Sequence, residues 1–404
     1  MLTPSEAVAR ILDALSDVAP LPPERVPLAA AAGRALSEDV RADRPLPPFD
    51  NSQMDGYALR AADAPRAGHR LPVAFEVFAG DDAARPLPPG ACARVFTGAP
   101  VPPGADCVEM QEEVERKGRT ARFLRAAEPG RFVRPAGADV AAGSVALPAG
   151  LEVDAGAIGL AAALGLPELP VHRRPRVGIL ATGDEIVPLG GHPRPGQIFE
   201  SNGHQLAAAC AEAGADPVRL PLARDDRDSL RRSLAAARDL DALVCIGGVS
   251  VGDRDLVRAG LTGSGARLDF WRVAMRPGKP VAFGRWGRMA VFGLPGNPAS
   301  SLVTFELFVR PALRALAGLP GTGRIVLRAR LSAAEEKPAG LTLYLRCRLR
   351  RDGDSLWVDG LRTQQSGHLT SVVGVEGLAV LPAGPARLPR GKWVDVHLIR
   401  APAS

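Results

Sequence analysis

Lysine is nearly absent from this sequence: of its 50 basic residues only Lys117, Lys279, Lys337 and Lys392 are lysine. Arginine is the default cation. A lysine inside the turn Pro277-Gly278-Lys279-Pro280 therefore suggests a position that wants a compact ammonium, chance retention being the plain alternative. The five cysteines, Cys92, Cys107, Cys210, Cys245 and Cys347, are isolated and form no C-x-x-C. That argues against a zinc site or a disulfide framework and fits the cytoplasm. The six histidines show no ligand spacing, so any metal is expected to be a hard cation such as Mg²⁺ on carboxylates and substrate oxygens. Apolar runs are short. The longest, residues 156–166, falls well below the roughly 20 residues a membrane helix needs. Residues 1–18 carry Glu6, Asp13 and Asp17 and pattern as an amphipathic helix, so no signal peptide is expected. The net charge of +6 has no basic block, which favours anionic small molecules over nucleic acid. Neither G-x-G-x-x-G nor G-x-x-x-x-G-K-[ST] occurs, which weakens dinucleotide and P-loop readings.

What the chain does have is a run of glycine turns, each in the context of an apolar extended segment. They read Gly247-Gly248-Val249-Ser250-Val251-Gly252-Asp253-Arg254-Asp255, Met275-Arg276-Pro277-Gly278-Lys279-Pro280 and Leu294-Pro295-Gly296-Asn297-Pro298. Singly, each is a tight connection. Together, bearing Asp253, Asp255, Arg276 and Lys279, they describe a candidate oxyanion or phosphate site, because glycine turns let backbone N–H groups converge on an anion.

The surrounding periodicity predicts a multidomain α/β plus β chain. Residues 177–181, 218–222 and 242–246 read as strands. Residues 203–213, 229–240 and 298–317 read as helices, with Asn202 and Asn297 as N-caps. That β-α-β order implies a central doubly wound α/β domain over 175–320, with functional loops at the carboxyl ends of its strands. Thr3-Pro4-Ser5-Glu6 is a capping box opening a helix. Residues 1–46 and 135–174 make a helical and extended linker domain, 47–134 an inserted β-rich domain, and 321–404 a small barrel or sandwich. Two turn-rich stretches of the insertion stand out: Pro48-Phe49-Asp50-Asn51-Ser52-Gln53-Met54-Asp55-Gly56-Tyr57-Ala58, and Thr97-Gly98 with the proline-rich loop after it. Asp50 and Asn51 read as turn or cap residues.

Taken in order, the 48–58 and 97–106 stretches, Thr182-Gly183-Asp184-Glu185 and the three glycine turns resemble the molybdopterin molybdenumtransferases, the family of MoeA and the gephyrin E domain, over nearly the whole length. The resemblance implies an elongated four-domain fold with a C-terminal barrel, and a homodimer whose active cleft is built from both subunits. It implies an enzyme that takes adenylated molybdopterin and molybdate, cleaves the phosphoanhydride with Mg²⁺ and releases AMP. By motif position the acids are Asp55, Asp139, Glu185, Asp225, Asp226 and Asp255. Glu185 and Asp255 are expected nearest the Mg²⁺ or pterin, with Asp55 and Thr97 reaching in from the partner subunit. Lys279, Arg276 and Arg272, with the turn residues Gly247, Gly248, Gly252, Gly278 and Gly296, would neutralise molybdate and phosphate. Ser250, Asp253, Asn297, Arg134 and Ser366 complete the substrate-binding set, and Pro295 and Pro298 shape the cradle. Arg276 stands where lysine is common and brings a different donor geometry. A molybdopterin adenylyltransferase and a molybdoenzyme chaperone are the partners the resemblance suggests. Two rivals remain at this point: an adenylyltransferase, which would lack the added β domains, and a non-catalytic scaffold, against which the retained acids count.

Overall fold

The structure, a computed structural model, describes residues 1–82, 85–248 and 256–402. Ser250, Gly252, Asp253 and Asp255 lie outside the described residues. The first helix, Pro4–Ala14, starts as its capping box dictates: Thr3 Oγ1 accepts from the Glu6 amide at 3.3 Å, and the Glu6 carboxylate accepts from the Thr3 amide at 2.8 Å. Its apolar face, Ala7 and Ile11 followed by Leu15 and Val18, packs into the core under the central sheet.

The segments flanking the insertion fold together. Strand Pro23–Pro27 pairs antiparallel with Glu168–His172, and Val40–Arg41 with Val145–Leu147, over a shared core that includes Leu36, Leu147, Ala161 and Val171. The insertion forms its own six-stranded sheet, in the order Cys107–Met110, Gly56–Leu59, Cys92–Val95, Arg70–Val77, Thr120–Phe123 and Val114–Lys117.

The central sheet runs Asp216–Arg219, Arg176–Ala181, Ala242–Ile246, Met289–Leu294, Pro280–Trp286, Arg267–Arg272. The first four are parallel, and the last two add on antiparallel. Ala242–Ile246 and Met289–Leu294 are buried throughout, as continuous apolar strands covered on both faces should be. A core lies on each face. The antiparallel addition has a consequence. Strand Pro280–Trp286 begins at the edge where the parallel strands end, so the Arg276–Lys279 turn joins the carboxyl-end loops.

In the C-terminal part, Val326–Leu331, Thr342–Asp352, Ser355–Gly360, Gly377–Leu381 and Trp393–Leu398 close into a barrel, since Thr342–Asp352 also pairs with Gly377–Leu381. Met275–Arg276 adds to the barrel strand in parallel, opposite Thr342 and Leu343. Tyr344 and Leu378 bury their side chains in the central core, which fixes the barrel against the central unit.

Several helix ends differ from the sequence reading. The 229–240 helix is Arg227–Ala235 and starts earlier because Asp226 caps it. The 298–317 helix is Pro298–Thr304, a π-helical turn Phe305–Val309 and then Arg310–Leu316. Among the described residues no helix is long and apolar enough to cross a membrane.

Candidate active-site cleft

At the carboxyl edge of the parallel strands, the chain leaves Ala181 into Thr182, Ile246 into Gly247 and Leu294 into Pro295. Thr182 locks the first two exits together: its amide and its hydroxyl both donate to the Ile246 carbonyl, at 3.0 and 3.2 Å. The Gly247 amide donates to the Leu294 carbonyl at 3.1 Å. Gly247 and Gly248 have φ of +84° and +63°, and a Cβ on Gly248 would lie 2.5 Å from Val257 Cγ2. Glycine is what this turn admits.

Between these exits opens a cleft of about 720 Å³, whose lining includes Thr182, Glu185, Asn202, Gly247, Gly296 and Pro298. Beside it lies a second hollow of about 570 Å³, lined in part by Arg276, Gly278, Lys279, Pro295, Gln365 and Ser366. Asn297 and Gly367 border both. The side chains of Arg276 and Lys279 are exposed and have no hydrogen-bond or ion-pair partner among the described residues. Two cations with no partner among the described residues thus share one concave surface. Gly278 has φ +95°, and a Cβ there would collide with Thr304 Cγ2 in the helix that Asn297 introduces.

The asparagines do something other than cap. Asn297 occupies the N-cap position of Pro298–Thr304 but makes no capping bond. Its Nδ2 donates instead to Ser366 Oγ at 3.1 Å, while the Ala299 amide donates to the Ser366 carbonyl at 3.0 Å. Asn202, read as a cap, is the first residue of helix Asn202–Glu212, and its Nδ2 donates to the Gly296 carbonyl at 2.6 Å. The buried Glu200 accepts the Gly203 amide in its place. Asn297 thus ties the Leu-Pro-Gly-Asn-Pro turn to the barrel loop, and Asn202 ties the same turn to helix Asn202–Glu212.

The acids separate into groups. Glu185 lines the cleft, its carboxylate folded into the space that a side chain on Gly183 would fill. Asp225, which lines neither hollow, reaches this region only through a loop contact: its amide donates to Asp184 Oδ1 at 3.4 Å, next to the Thr182–Ala223 bridge. Asp226 lines neither hollow and accepts the Ser229 amide at 2.7 Å as a helix cap. Arg272 closes the edge strand opposite Pro280 and lines neither hollow. Arg134 and Asp139 pair with one another at 3.6 Å, both half-exposed, where the insertion meets the linker.

Asp55 and Thr97 stand together on the insertion and line neither hollow of the central unit. The Thr97 amide and hydroxyl both donate to Asp55 Oδ1, each at 2.8 Å. These bonds hold the Asp55 carboxyl below the usual range, and Arg94 adds to the effect. The two turns are zipped through Ser52, whose carbonyl accepts the Gly98 amide at 2.8 Å and whose amide donates to Ala99 at 2.9 Å. Asp50 accepts the Ala136 amide at 2.8 Å, the turn-fixing role its position suggests.

Two features had no sequence signal. Arg346 sits on a barrel strand and is completely buried, its Nη2 donating to the Gln365 carbonyl at 3.3 Å. Its Nε and Nη1 have no partner among the described residues, and burial pushes its pKa down to about 10. The Gln364 amide grips the Arg346 backbone from both sides, at 3.1 and 2.8 Å, so this strand positions the loop that carries Ser366. Arg94 is the other. An arginine in a run of strand residues looks like any surface cation until its neighbours are known.

Comparison with known proteins finds relatives over nearly the whole chain. Family models for the MoeA N-terminal region (domains I and II), a probable molybdopterin binding domain and the MoeA C-terminal region (domain IV) match residues 2–165, 178–315 and 328–399 in turn. Molybdopterin molybdenumtransferase 2 of Mycobacterium tuberculosis is 39% identical over 384 residues, spanning 93% of this chain and 94% of that protein. The molybdopterin molybdenumtransferase of Bacillus subtilis is 36% identical over 389 residues, spanning 93% and 90%. Two crystal structures of the molybdopterin biosynthesis MoeA protein of Pyrococcus horikoshii superpose with TM-scores of 0.84 and 0.83 at 31% and 28% identity, covering 99% and 98% of this chain and 100% of each. With its fold, its motif order and its full-length relatives in agreement, the chain belongs to the molybdopterin molybdenumtransferase family.

Proposed function

We propose that this protein inserts molybdenum into molybdopterin: it takes adenylated molybdopterin and molybdate, cleaves the phosphoanhydride and releases AMP, working as a homodimer. The observation that carries the reading is the pair of cations without partners among the described residues, Arg276 and Lys279, in a hollow that adjoins a glycine-turn cleft. A tetrahedral dianion and a bridging pyrophosphate both need such charge, and turn amides add donors that require no reorganisation.

In this reading Lys279 and Arg276 hold anionic oxygens, and Asn202, Asn297 and Ser366 keep the turn that shapes the pocket in place. Asp55 presents Oδ2, which has no partner among the described residues, as a proton acceptor oriented by Thr97. Because Asp55 and Thr97 line neither hollow of their own chain, a second copy would bring them to the cleft. Among the described residues no group of three or more His, Cys, Asp or Glu forms a metal cage. Mg²⁺ needs none when one or two carboxylates act with phosphate oxygens. Glu185 fits that demand, and Asp255 is its expected companion. Bound there, the ion would neutralise phosphate charge. The added β-rich and barrel parts, matched in the relatives, disfavour a lone adenylyltransferase.

The test is AMP release from adenylated molybdopterin, with and without molybdate and Mg²⁺. Release that needs both, with molybdenum cofactor formed, supports the proposal. A folded dimer that binds the pterin and releases nothing overturns it.

A further inference from the structure

Asp55 and Thr97 come from the ends of adjacent strands, and one side chain reaches across both. Arg94, on strand Cys92–Val95, pairs with Tyr57 in the register of the insertion's sheet. Its guanidinium lies over the rings of Tyr57 and of Phe96, 5.0 Å from each centroid. It donates to the Gly56 carbonyl at 3.2 Å and to the Gln111 side chain. The Gln111 amide in turn donates to the Asp55 carbonyl at 3.0 Å. Phe96, the residue before Thr97, is stacked on Phe78 at 4.7 Å and 11°. Arg94 therefore touches the residue after Asp55, the residue before Thr97 and the residue that holds the Asp55 backbone. Among the described residues it has no carboxylate partner in an ion pair.

We propose that Arg94 is the positioning residue of the Asp55–Thr97 pair, clamping three strand ends so that Asp55 is presented in one orientation. A cation that served only to tie the sheet would be replaceable by any residue of similar reach. Two features argue for more. The planar guanidinium meets two aromatic rings and two hydrogen-bond acceptors at once, a combination an ammonium reproduces poorly. It is also the charged group that acts on the Asp55 carboxylate, whose other neighbours, the Thr97 donors, are neutral. The inference rests on the reading that Asp55 serves the reaction.

The test compares Arg94→Met, Arg94→Lys and Asp55→Ala in the full-length protein, measuring kcat and KM for AMP release across pH. Arg94→Met should lower kcat by roughly 10- to 100-fold, as loosened positioning does. Its KM for molybdate, set by Lys279 and Arg276, should change little, and the acidic limb of kcat should move to higher pH. Arg94→Lys keeps the charge, so the limb should stay in place while kcat still falls. Wild-type kcat and an unmoved limb in Arg94→Met, with Asp55→Ala inactive, overturn the proposal and leave the function standing. A fully active Asp55→Ala overturns both. If the methionine variant does not fold, the lysine variant decides, since an undiminished kcat there removes the clamp.

Discussion

Arg276 and Lys279 are exposed cations without a carboxylate partner among the described residues, so their charge is free to meet an anionic ligand in the hollow they line, the role proposed for them. Replacing Lys279 by alanine should raise the KM for molybdate about tenfold or more, on the scale of a lost charged hydrogen bond of roughly 1.5–3 kcal/mol. The molybdate dependence of AMP release measures this, and an unchanged dependence would remove Lys279 from the site. The same scale governs Asp55. Its carboxyl is held below the ordinary range by the Thr97 amide and hydroxyl, so activity that needs the carboxylate persists as pH falls until that depressed pKa is reached. Thr97→Val deletes the hydroxyl donor and keeps the amide, and should shift the acidic limb of kcat upward. A limb that stays put would mean the hydroxyl bond does not act on the working group. Lys279 was legible in the sequence because lysine is so rare there. Asp226 and Asn202 were not, because a carboxylate or a carboxamide has the same chemistry whether it caps a helix, braces a turn or meets a substrate.

At the level of elements, the glycine turns divide into those the fold requires and those the ligand requires. Gly248 and Gly278 combine positive φ with a neighbour that a methyl group would strike, Val257 in one case and Thr304 in the other. Gly248→Ala and Gly278→Ala should each destabilise the protein by roughly 1–3 kcal/mol, read as a lower urea midpoint. Gly296 differs. It lacks positive φ, and the nearest atom to a Cβ there is Gly247 Cα at 3.7 Å. Gly296→Ala should therefore leave the midpoint within about 0.5 kcal/mol of wild type while weakening substrate binding, because the methyl group sits on the cleft wall. A destabilised Gly296→Ala would place this glycine with the structural ones. Strand positions and the turns between them could be read from periodicity and punctuation. The added antiparallel strands could not, since an edge strand with charged residues at alternate positions has no signature of which neighbour it joins.

For the whole molecule, the separation of Asp55 from the cleft of its own chain makes a specific demand. If the working cleft is shared between copies, mixing Asp55→Ala and Lys279→Ala proteins under exchange, at molybdate low enough that Lys279→Ala alone is nearly inactive, should restore roughly a quarter of wild-type activity, since half the dimers are mixed and each holds one intact cleft. No recovery, with exchange demonstrated, would place both residues in one chain's site. A second global property follows from burial. All five cysteines are buried, and the thiols of Cys92, Cys210, Cys245 and Cys347 are pushed up to about 12. Thiol reagents should therefore label the protein only as it unfolds, with kinetics that follow unfolding measured by circular dichroism. Rapid labelling in native buffer would contradict the packing.

By itself the sequence determined the classes of segment, the strand-end glycine turns and the residue types gathered near them, because backbone sterics and apolar periodicity are local properties. It also carried the family, through motifs kept in order. Tertiary structure alone decided which of the named residues meet. Glu185, Gly247, Asn297, Lys279 and Ser366 border two adjoining hollows, while Asp226 caps a helix and Arg134 with Asp139 pairs elsewhere. It also revealed Arg94 as the link between Asp55 and Thr97. Those outcomes depend on contacts between segments far apart in the chain, and such contacts are set by how sheets and barrel pack, which no stretch of residues specifies alone.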